Sequence, residues 1–423
     1  MGRLSPEAAL AHLAGRSPSS IKMGLERVQR ALERLGHPER RVPALHVAGT
    51  NGKGSTCAIA AACLSTTYRV GLYTSPHLVR VNERFRVGDR DIDDRTLGTR
   101  IADVVEVLGE EHELTYFELG TLVAFHHFAE ERVDLAVLET GLGGRLDATT
   151  SCAPRVTCVT PVSFDHQEYL GHTLAAIARE KAGIIKRGVP VISSRQEPEA
   201  MEVIQRIAEQ QGAELCVEGR DFSAEKAADG LRFRGRWLAV SGLALPLAGA
   251  HQTQNAATAL ACLEALGQAG FPLTTEALAR GLSATRWPGR LERIEGTPPV
   301  VLDGAHNPAG VEVLVAALDE LAQGRPVHLV FGVLADKDST PMMERLFPRC
   351  ASVALTPLPS PRSKDPSTYE AWARSLGPLI SLHSSPRQAL EAAQRRASPD
   401  GLVLVAGSLV LVGEIRRLFE PLR

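Results

Sequence analysis

The sequence has no excess of charge of either sign. Its 423 residues include 47 lysines and arginines against 49 aspartates and glutamates, which gives a formal net charge of -2. Proteins that bind nucleic acids or anionic membranes concentrate positive charge on one face, whereas the basic residues here are scattered along the chain. We therefore predict no nucleic-acid partner and a small-molecule substrate.

Cysteine is scarce and shows neither disulfide nor metal-binding spacing. The seven cysteines, at positions 57, 63, 152, 158, 216, 262 and 350, are odd in number and form no C-x-x-C pair. This pattern indicates neither a disulfide framework nor a thiolate zinc site. We expect reduced, buried thiols.

Long hydrophobic runs are also missing. The most apolar stretch, residues 402–412, is short and interrupted by Gly407 and Ser408, whereas a membrane-spanning helix needs about 20 apolar residues. Residues 1–11 contain Pro6 and Glu7 and lack the apolar core of a signal peptide. We predict a cytoplasmic, monomeric protein without a membrane partner.

What the chain does contain is enough apolar material for two cores. Hydrophobic residues make up 44% of the sequence, and strand-like and helix-like segments alternate, as in doubly wound parallel sheets. We predict an α/β fold in which residues 1–290 form a P-loop-containing, mostly parallel sheet domain with a helical entry segment. Residues 291–423 are predicted to form a smaller Rossmann-like α/β domain, because Pro- and Gly-rich stretches flank this junction.

A glycine-rich loop follows a predicted strand at residues 44–48 and precedes an alanine-rich helix predicted over residues 56–64. Its glycines allow the backbone amides to converge on one point, and the amides at a helix N-terminus attract an anion. Lys53 adds a positive charge suited to terminal phosphate oxygens. The loop predicts a nucleoside triphosphate site contacted by Thr50, Asn51, Gly52, Lys53, Gly54 and Ser55.

The spacing of this loop differs from the common P-loop G-x-x-x-x-G-K-[ST], because Gly54 lies between the lysine and the hydroxyl. The alternative interpretation is a tight strand-to-helix turn that carries a surface lysine. The order of strand, loop, lysine and helix favours the nucleotide site over that alternative.

Polar side chains follow three other predicted strands. Ser75 follows the strand at residues 69–73, Glu139 follows the strand at 134–138, and His166 follows the strand at 155–160. Ligands of α/β sheets bind at the carboxyl ends of the strands, so these side chains indicate a magnesium-phosphate site. Each one alone is also compatible with an ordinary strand end. An NAD site at Gly141-Leu142-Gly143-Gly144-Arg145-Leu146 is rejected, because G-x-G-x-x-G fails at Leu146.

Further elements are predicted from periodicity and from turn residues. Residues 79–94 are predicted to be an irregular polar stretch, and residues 224–247 an edge hairpin with short strands at 231–233 and 237–240. The other predicted helices cover residues 23–35, 117–131, 174–182, 255–266 and 275–282, and the other predicted strands cover residues 189–192, 214–217, 300–302, 327–331, 352–355 and 402–405.

Five motifs are spread over nearly the whole chain: Gly49-Thr50-Asn51-Gly52-Lys53-Gly54-Ser55, Thr74-Ser75-Pro76-His77-Leu78, Leu138-Glu139-Thr140-Gly141-Leu142-Gly143-Gly144-Arg145-Leu146-Asp147-Ala148-Thr149, Arg179-Glu180-Lys181-Ala182-Gly183-Ile184 and Asp303-Gly304-Ala305-His306-Asn307-Pro308. Together they resemble folylpolyglutamate synthases, and especially the bacterial bifunctional form that also has dihydrofolate synthase activity. These enzymes are relatives of the Mur peptide-bond ligases.

The resemblance implies an ATP-dependent ligase with ATP and Mg²⁺ as cofactors. Such an enzyme phosphorylates a carboxylate of dihydropteroate or a reduced folate, and the amine of L-glutamate then attacks the acyl phosphate. The resemblance also implies residue roles. The catalytic residues would be Lys53, Lys181 and His306. Magnesium would be bound by Ser75, Glu139, His166 and a carbamylated Lys181, and ATP would also contact Asn255, Arg290, Asp303 and His306. The substrate would contact Phe117, Asp147 and Arg84.

Three alternatives stay open at this point. The protein could be a folylpolyglutamate synthase alone, or a Mur-type ligase of cell-wall synthesis, although Gly54 and the surroundings of Lys181 argue against the latter. The third alternative is a GTP-hydrolysing switch protein. The chain has no Asn-Lys-x-Asp guanine motif, which argues against a switch.

Overall fold

The computed structural model describes residues 3–17 and 21–419, and its contacts divide the chain into two units. The first unit runs to Pro246 and also includes Gln252–Thr285; the second comprises Leu247–His251 and the chain from Arg286 onward. The domain boundary predicted after residue 290 stays a prediction.

An eight-stranded sheet with the order β4-β3-β2-β5-β1-β6-β7-β8 organises the first unit. Its strands are β1 (Pro43–Ala48), β2 (Val70–Tyr73), β3 (Phe85–Val87), β4 (Arg90–Asp91), β5 (Leu135–Glu139), β6 (Ala153–Val159), β7 (Val191–Ser193) and β8 (Leu215–Val217). The strands β2, β5, β1, β6, β7 and β8, which are neighbours in that order, pair in parallel. At one edge of the sheet, β3 pairs antiparallel with β2 and with β4.

The register of the central strands brings their carboxyl ends to one edge of the sheet. Val47 of β1 lies opposite Glu139 of β5, Tyr73 of β2 lies opposite Leu138, and Ala48 lies opposite Val159 of β6. The loops that follow β1, β2, β5 and β6 therefore start side by side, which is where open α/β sheets bind ligands.

Ten helices belong wholly or mainly to the first unit. They are α1 (Pro6–Ala14), α2 (Glu26–Arg34), α3 (Lys53–Leu64), α4 (Asp94–Leu108), α5 (Tyr116–Glu130), α6 (Gln167–Leu170), α7 (Leu174–Ala182), α8 (Pro198–Gln210), α9 (Ala250–Gln268) and α10 (Thr275–Ala284). One hydrophobic cluster joins α1, α2, α4 and α5 to the sheet through residues such as Ile101, Leu119 and Phe128, and another joins α7 and α8 to it. A separate antiparallel sheet consists of β9 (Ser223–Ala227), β10 (Gly230–Arg234) and β11 (Ala239–Leu243).

The second unit is a smaller six-stranded sheet with the order β12-β13-β17-β14-β15-β16. Its strands are β12 (Glu292–Ile294), β13 (Val300–Leu302), β14 (Val327–Phe331), β15 (Ser352–Leu355), β16 (Leu379–Leu382) and β17 (Leu402–Ala406), and its helices are α11 (Pro308–Ala322), α12 (Thr340–Leu346), α13 (Glu370–Ser375), α14 (Pro386–Ala397) and α15 (Leu409–Arg416). All strand pairs except β12 with β13 are parallel. The predicted α/β fold class is confirmed.

The structure corrects the prediction of an irregular stretch at residues 79–94. This stretch contains a 3-10 turn, Val81–Arg84, followed by the antiparallel pair of β3 and β4. These short edge strands carry Arg86, Arg90 and Asp91, which are at least partly exposed, so no apolar alternation marks them. The sequence patterns also did not predict α1, α4 or β16.

All seven cysteines are free and buried, as the sequence predicts. Within residues 3–17 and 21–419, no helix combines the length and the apolar character that crossing a membrane requires.

Candidate active site

The phosphate loop joins β1 to α3 at the carboxyl edge of the large sheet. Gly52 has a φ of 84°, and a Cβ at this position would collide with Oδ1 of Asn255, so the turn requires glycine. The amide of Thr56 is the first to bond back into the helix, to the carbonyl of Gly52 at 2.9 Å. The amides of Lys53, Gly54 and Ser55 therefore lie at the helix N-terminus, where they can bind an anion.

The helix thus begins at Lys53, three residues before the start that the alanine-rich pattern predicts. Thr50 and Asn51 are tied to the loop after β6. Both of their backbone amides donate to the carbonyl of Pro161. The hydroxyl of Thr50 donates to the carbonyl of Ser163 at 3.1 Å, and the side-chain Nδ2 of Asn51 donates to Ser163 Oγ at 3.2 Å. These bonds fix the outer half of the loop.

A buried carboxylate lies beside the loop. Glu139, at the end of β5, is 4% exposed; its Oε2 accepts a hydrogen bond from the amide of Ser75 at 3.1 Å, and its Oε1 lies 3.9 Å from Nζ of Lys53. Nζ of Lys53 also donates to the carbonyl of Thr50 at 3.1 Å. Three of the predicted site residues, from three neighbouring strand ends, are therefore brought together.

Lys181 reaches the same loop from α7. Its side chain is 5% exposed, and Nζ donates to the carbonyl of Gly49 at 2.7 Å. Burial, together with the positive charge of Lys53, lowers the pKa of Lys181 to about 7, while the negative charge of Asp165 opposes this shift. A buried lysine with this pKa exists substantially as the neutral, nucleophilic amine at neutral pH.

His166 lies on the segment after β6 with a left-handed backbone, and its ring is more exposed than the other predicted ligands. Its Nε2 is 3.8 Å from Oδ1 of Asp165. Asp165 was not selected by the sequence analysis, although it directly precedes His166 and is close enough to Lys181 to influence its charge. Across the described ranges, no group of three or more His, Cys, Asp or Glu side chains is arranged to hold a metal ion.

Asn255 lies on α9 against the phosphate loop, as the proximity of its amide to Gly52 indicates. Its Nδ2 donates to Oε1 of Gln252 at 2.9 Å, and Nε2 of Gln252 in turn bonds Oγ of Ser55 at 3.4 Å. Gln252 is fully buried and was also missed by the sequence analysis, since a glutamine near a helix start has no distinctive pattern.

The three predicted substrate residues gather near the N-terminus of α5. Thr115 and Glu118 form a reciprocal capping box that fixes this helix start. Phe117 packs directly on Gly141, where a Cβ would approach the ring to 2.5 Å, and its ring centroid is 5.9 Å from that of Tyr73. Phe117 therefore lies beside the loop that follows Glu139.

Asp147 shapes that loop. Its Oδ2 accepts from the amides of Gly141 and Leu142, both at 2.9 Å, and its Oδ1 accepts from the amide and the hydroxyl of Thr149 at 3.0 and 2.5 Å. Burial raises the pKa of Asp147, and these bonds offset part of the rise. Four protein donors already occupy its oxygens, so a pterin would have to share or displace them.

Arg84 is buried between an aromatic ring and an imidazole. It is 7% exposed, its guanidinium carbon lies 5.2 Å from the centroid of Tyr116, and its Nε donates to Nδ1 of His77 at 2.9 Å. Neither Tyr116 nor His77 was predicted to take part in the site.

The second unit gathers the remaining predicted residues. Asp303, 7% exposed, accepts hydrogen bonds from the amides of Leu291 and Ala305, both at 2.9 Å. Burial raises its pKa, and the nearby charge of Arg290 opposes the rise. Nδ1 of His306 donates to the carbonyl of Gly304 at 2.7 Å, because a carbonyl oxygen can only accept. The ring nitrogen left to accept a proton in neutral His306 is therefore Nε2.

Comparisons with known proteins show the family of the chain. Residues 47–263 match the Mur ligase middle domain, and residues 289–409 match the Mur ligase glutamate ligase domain. The chain is 38% identical to folylpolyglutamate synthase of Lacticaseibacillus casei, over 92% of this chain and 93% of that protein. The chain belongs to the Mur ligase family, in its folylpolyglutamate synthase branch.

Other members of the branch support the same assignment. The chain is 36% identical to dihydrofolate synthase/folylpolyglutamate synthase of Bacillus subtilis, over 95% of this chain and 96% of that protein. The structure of E. coli FolC in complex with DHPP and ADP superposes with a TM-score of 0.89 at 34% identity and covers 98% of both chains. The family predicted from the motifs is confirmed, and it leaves no support for the switch-protein alternative.

The charge state of Lys181 predicts a pH-dependent stability. Its pKa is about 7 in the folded protein and about 10.4 in the unfolded chain, so between these values the unfolded state binds more protons. In CO₂-free buffer, the free energy of unfolding contributed by this lysine should increase as the pH rises from 7 to about 10. Lys181→Met should lose this increase in urea denaturation at pH 7 and pH 9.

Lys226→Met, at an exposed position, is the matched control and should keep the wild-type pH dependence. If Lys181→Met and Lys226→Met respond identically to pH, Lys181 is not the depressed amine that its burial implies.

Proposed function

We propose that this protein is an ATP-dependent ligase that joins L-glutamate to dihydropteroate and to reduced folates. The observation that carries the proposal is the arrangement in the first unit. The phosphate loop, the buried Glu139 and the buried Lys181 share one sheet edge, and Phe117 packs on the loop that begins directly after Glu139 and Thr140. The residues assigned to ATP in this unit and the residues assigned to the folate substrate thus lie at the same end of the sheet.

The relatives support both halves of this site. The E. coli relative binds ADP and DHPP, and the Mycobacterium tuberculosis relative binds ADP and AMPPCP. This chain matches the L. casei and B. subtilis relatives over 93% and 96% of their lengths. ATP is the nucleotide we assign to the loop.

Phosphoryl transfer to a carboxylate needs positioning and charge neutralisation rather than covalent help from the protein. The amides at the start of α3 and the ammonium of Lys53 supply fixed positive charge for the phosphates. The acceptor carboxylate oxygen attacks the γ-phosphorus and ADP leaves. The amine of glutamate then attacks the acyl carbon, phosphate leaves, and one proton is released.

The residues at the sheet edge fit Mg²⁺. Magnesium is usually held by one or two carboxylates together with substrate phosphates and waters, so it does not need a preformed cluster of acidic side chains. Glu139 offers a buried carboxylate and Ser75 an adjacent hydroxyl, and we assign these two as its protein ligands. Bound there, the ion would neutralise charge on the phosphates.

Lys181 fits a magnesium site only after modification. An ammonium repels a cation, whereas the neutral amine, favoured by burial, can attack CO₂ and give a carbamate whose oxygen is a suitable ligand. We propose that Lys181 is carbamylated and that it and Glu139 hold a second ion, with His166 as the third ligand.

The remaining assignments belong to the acceptor and to the second unit. We assign Phe117 to stacking on the pterin, Asp147 to holding the loop that borders it, and Arg84 to a substrate carboxylate. Asn255, Arg290, Asp303 and His306 are assigned to ATP, and Nε2 of His306 is the nitrogen suited to accepting a proton. Cytoplasmic location and a monomeric state stay predictions.

Lys53→Ala should reduce amide formation by about 100-fold or more, because the transferring phosphoryl group loses its nearest fixed cation. The measurement is turnover with ATP, labelled glutamate and dihydropteroate, read by mass. Lys226→Ala serves as the control. Wild-type turnover in Lys53→Ala would mean that the loop is misassigned.

Carbamylation predicts a signal from ¹³C-labelled bicarbonate. The wild-type protein should show a carbamate carbon resonance that Lys181→Met lacks, and bicarbonate depletion should reduce activity in parallel with the resonance. Full activity after depletion, together with an unmodified amine in a magnesium-bound crystal structure, would exclude the modification.

Bifunctionality predicts that one protein forms amides from both dihydropteroate and a reduced folate. Asp147→Ala should reduce dihydrofolate formation more than polyglutamate extension. The substitution removes the carboxylate that accepts from the amides of Gly141 and Leu142, and the longer folate substrate retains other contacts with the protein. Product masses for both acceptors give the comparison.

A wild-type protein that extends reduced folates but leaves dihydropteroate unchanged is a folylpolyglutamate synthase only. Equal losses for both acceptors in Asp147→Ala would instead mean that the loop serves the shared chemistry rather than the pterin.

A further inference from the structure

Arg84 is a buried cation without an acidic partner. No carboxylate in the described part of the chain lies within 4 Å of its guanidinium, and its recorded interactions are the ring of Tyr116 and Nδ1 of His77. Burying an unpaired charge is costly, so such a group in a folded protein usually has an external partner. The unusual feature is that an imidazole, rather than an acid, holds the arginine.

The loop that carries His77 and Arg84 is rigidly built. Oε1 of Glu83 accepts from the amides of Val79 and Arg80 at 2.9 and 2.7 Å, and its Oε2 accepts from the amide of Leu78 at 2.7 Å. The carbonyl of Arg84 also accepts a bond from the amide of Thr74, so the two ends of the loop meet. The loop therefore holds His77 and Arg84 at a fixed separation.

The direction of the hydrogen bond fixes the roles of both side chains. A guanidinium Nε can only donate, so Nδ1 of His77 must accept and the neutral ring carries its proton on Nε2. The two terminal nitrogens of Arg84 have no acceptor in the described chain and are not among its sealed, unpaired polar atoms. The fork of N–H donors is thus not completely enclosed, although Arg84 is only 7% exposed, and its shape suits a carboxylate bound through two parallel bonds.

We propose that His77 is a positioning residue: by accepting from Nε, its Nδ1 aims the terminal fork of Arg84 at a substrate carboxylate. The inference rests on the proposed function in one respect, since the carboxylate belongs to either the pterin-bearing acceptor or L-glutamate. Without the imidazole, rotation about the bonds of the Arg84 side chain can turn the guanidinium over the ring of Tyr116. The guanidinium then loses its alignment with the substrate carboxylate.

Two substitutions of similar shape, His77→Asn and His77→Leu, differ in whether they keep a hydrogen-bond acceptor. Asparagine and leucine both branch at Cγ. Only asparagine has an acceptor atom, Oδ1, in the place of the Nδ1 of His77 that accepts from Arg84. His77→Leu should raise the KM for one carboxylate substrate by about tenfold, the effect expected from loss of one charge-assisted hydrogen bond. The kcat and the KM for ATP should stay within about twofold, and His77→Asn should restore the KM to within about threefold of wild type.

The substrate whose KM changes identifies the carboxylate. If only the KM for the pteroate or folate changes, the carboxylate of that substrate binds Arg84. If only the KM for L-glutamate changes, a carboxylate of the amino acid binds there. Equal effects of His77→Asn and His77→Leu would overturn the proposal, because the acceptor atom would then not matter.

A double-mutant cycle tests whether His77 acts through Arg84. In an Arg84→Met background, His77→Leu should cause no further rise in KM. A full, additional tenfold rise in that background would show that His77 acts on its own and would refute a positioning role.

A readout without turnover separates this inference from the proposed function. In protein labelled at arginine, the Nε–H of Arg84 should exchange slowly with solvent in wild type and His77→Asn and quickly in His77→Leu, with unchanged thermal unfolding in all three. Exchange unaffected by His77→Leu overturns the inference. Failure of the wild-type protein to form any amide would instead refute the proposed function, while the exchange result still decides the hydrogen bond.

Discussion

The attraction between one buried carboxylate and the groups around it is the interaction on which the rest of this site depends. Glu139 ends β5 in the middle of the large sheet, where it accepts from the amide of Ser75 and lies 3.9 Å from the ammonium of Lys53. An isolated carboxylate would be costly at 4% exposure, and the cation and the amide reduce that cost. The loops after three parallel strands are thereby held at one point.

Lys181 creates an electrostatic conflict at the same point. Its Nζ is buried against the carbonyl of Gly49 and close enough to Lys53 for the two charges to repel. The fold resolves the conflict by favouring the neutral amine, and conversion to a carbamate would go further, because it replaces a repelled cation by an anion that a metal attracts.

Carboxylates elsewhere in the first unit act as builders of loops. Glu83 accepts from three consecutive amides, Asp147 from two amides and Thr149, and Glu118 caps the helix that presents Phe117. Hydrogen bonds from neutral amides to a charged acceptor are stronger than neutral pairs, so each loop is fixed without needing its own hydrophobic core. The same hydrogen bonds fix the segments that carry Arg84 and Phe117, the two side chains proposed to contact the substrate.

The sequence by itself determined the family, the α/β class, the phosphate loop and most central strands, because apolar runs and glycine positions are local properties of the chain. It also placed Ser75, Glu139 and Lys53 at strand and loop ends, where parallel register makes them neighbours. It could not find α4, the edge strands β3 and β4, or the parts played by Asp165, Gln252, His77 and Tyr116. Only the tertiary structure decided that Asp147 is saturated by protein donors and that Arg84 rests on an imidazole, since hydrogen-bond direction and burial arise from residues distant in the chain, which no local pattern encodes.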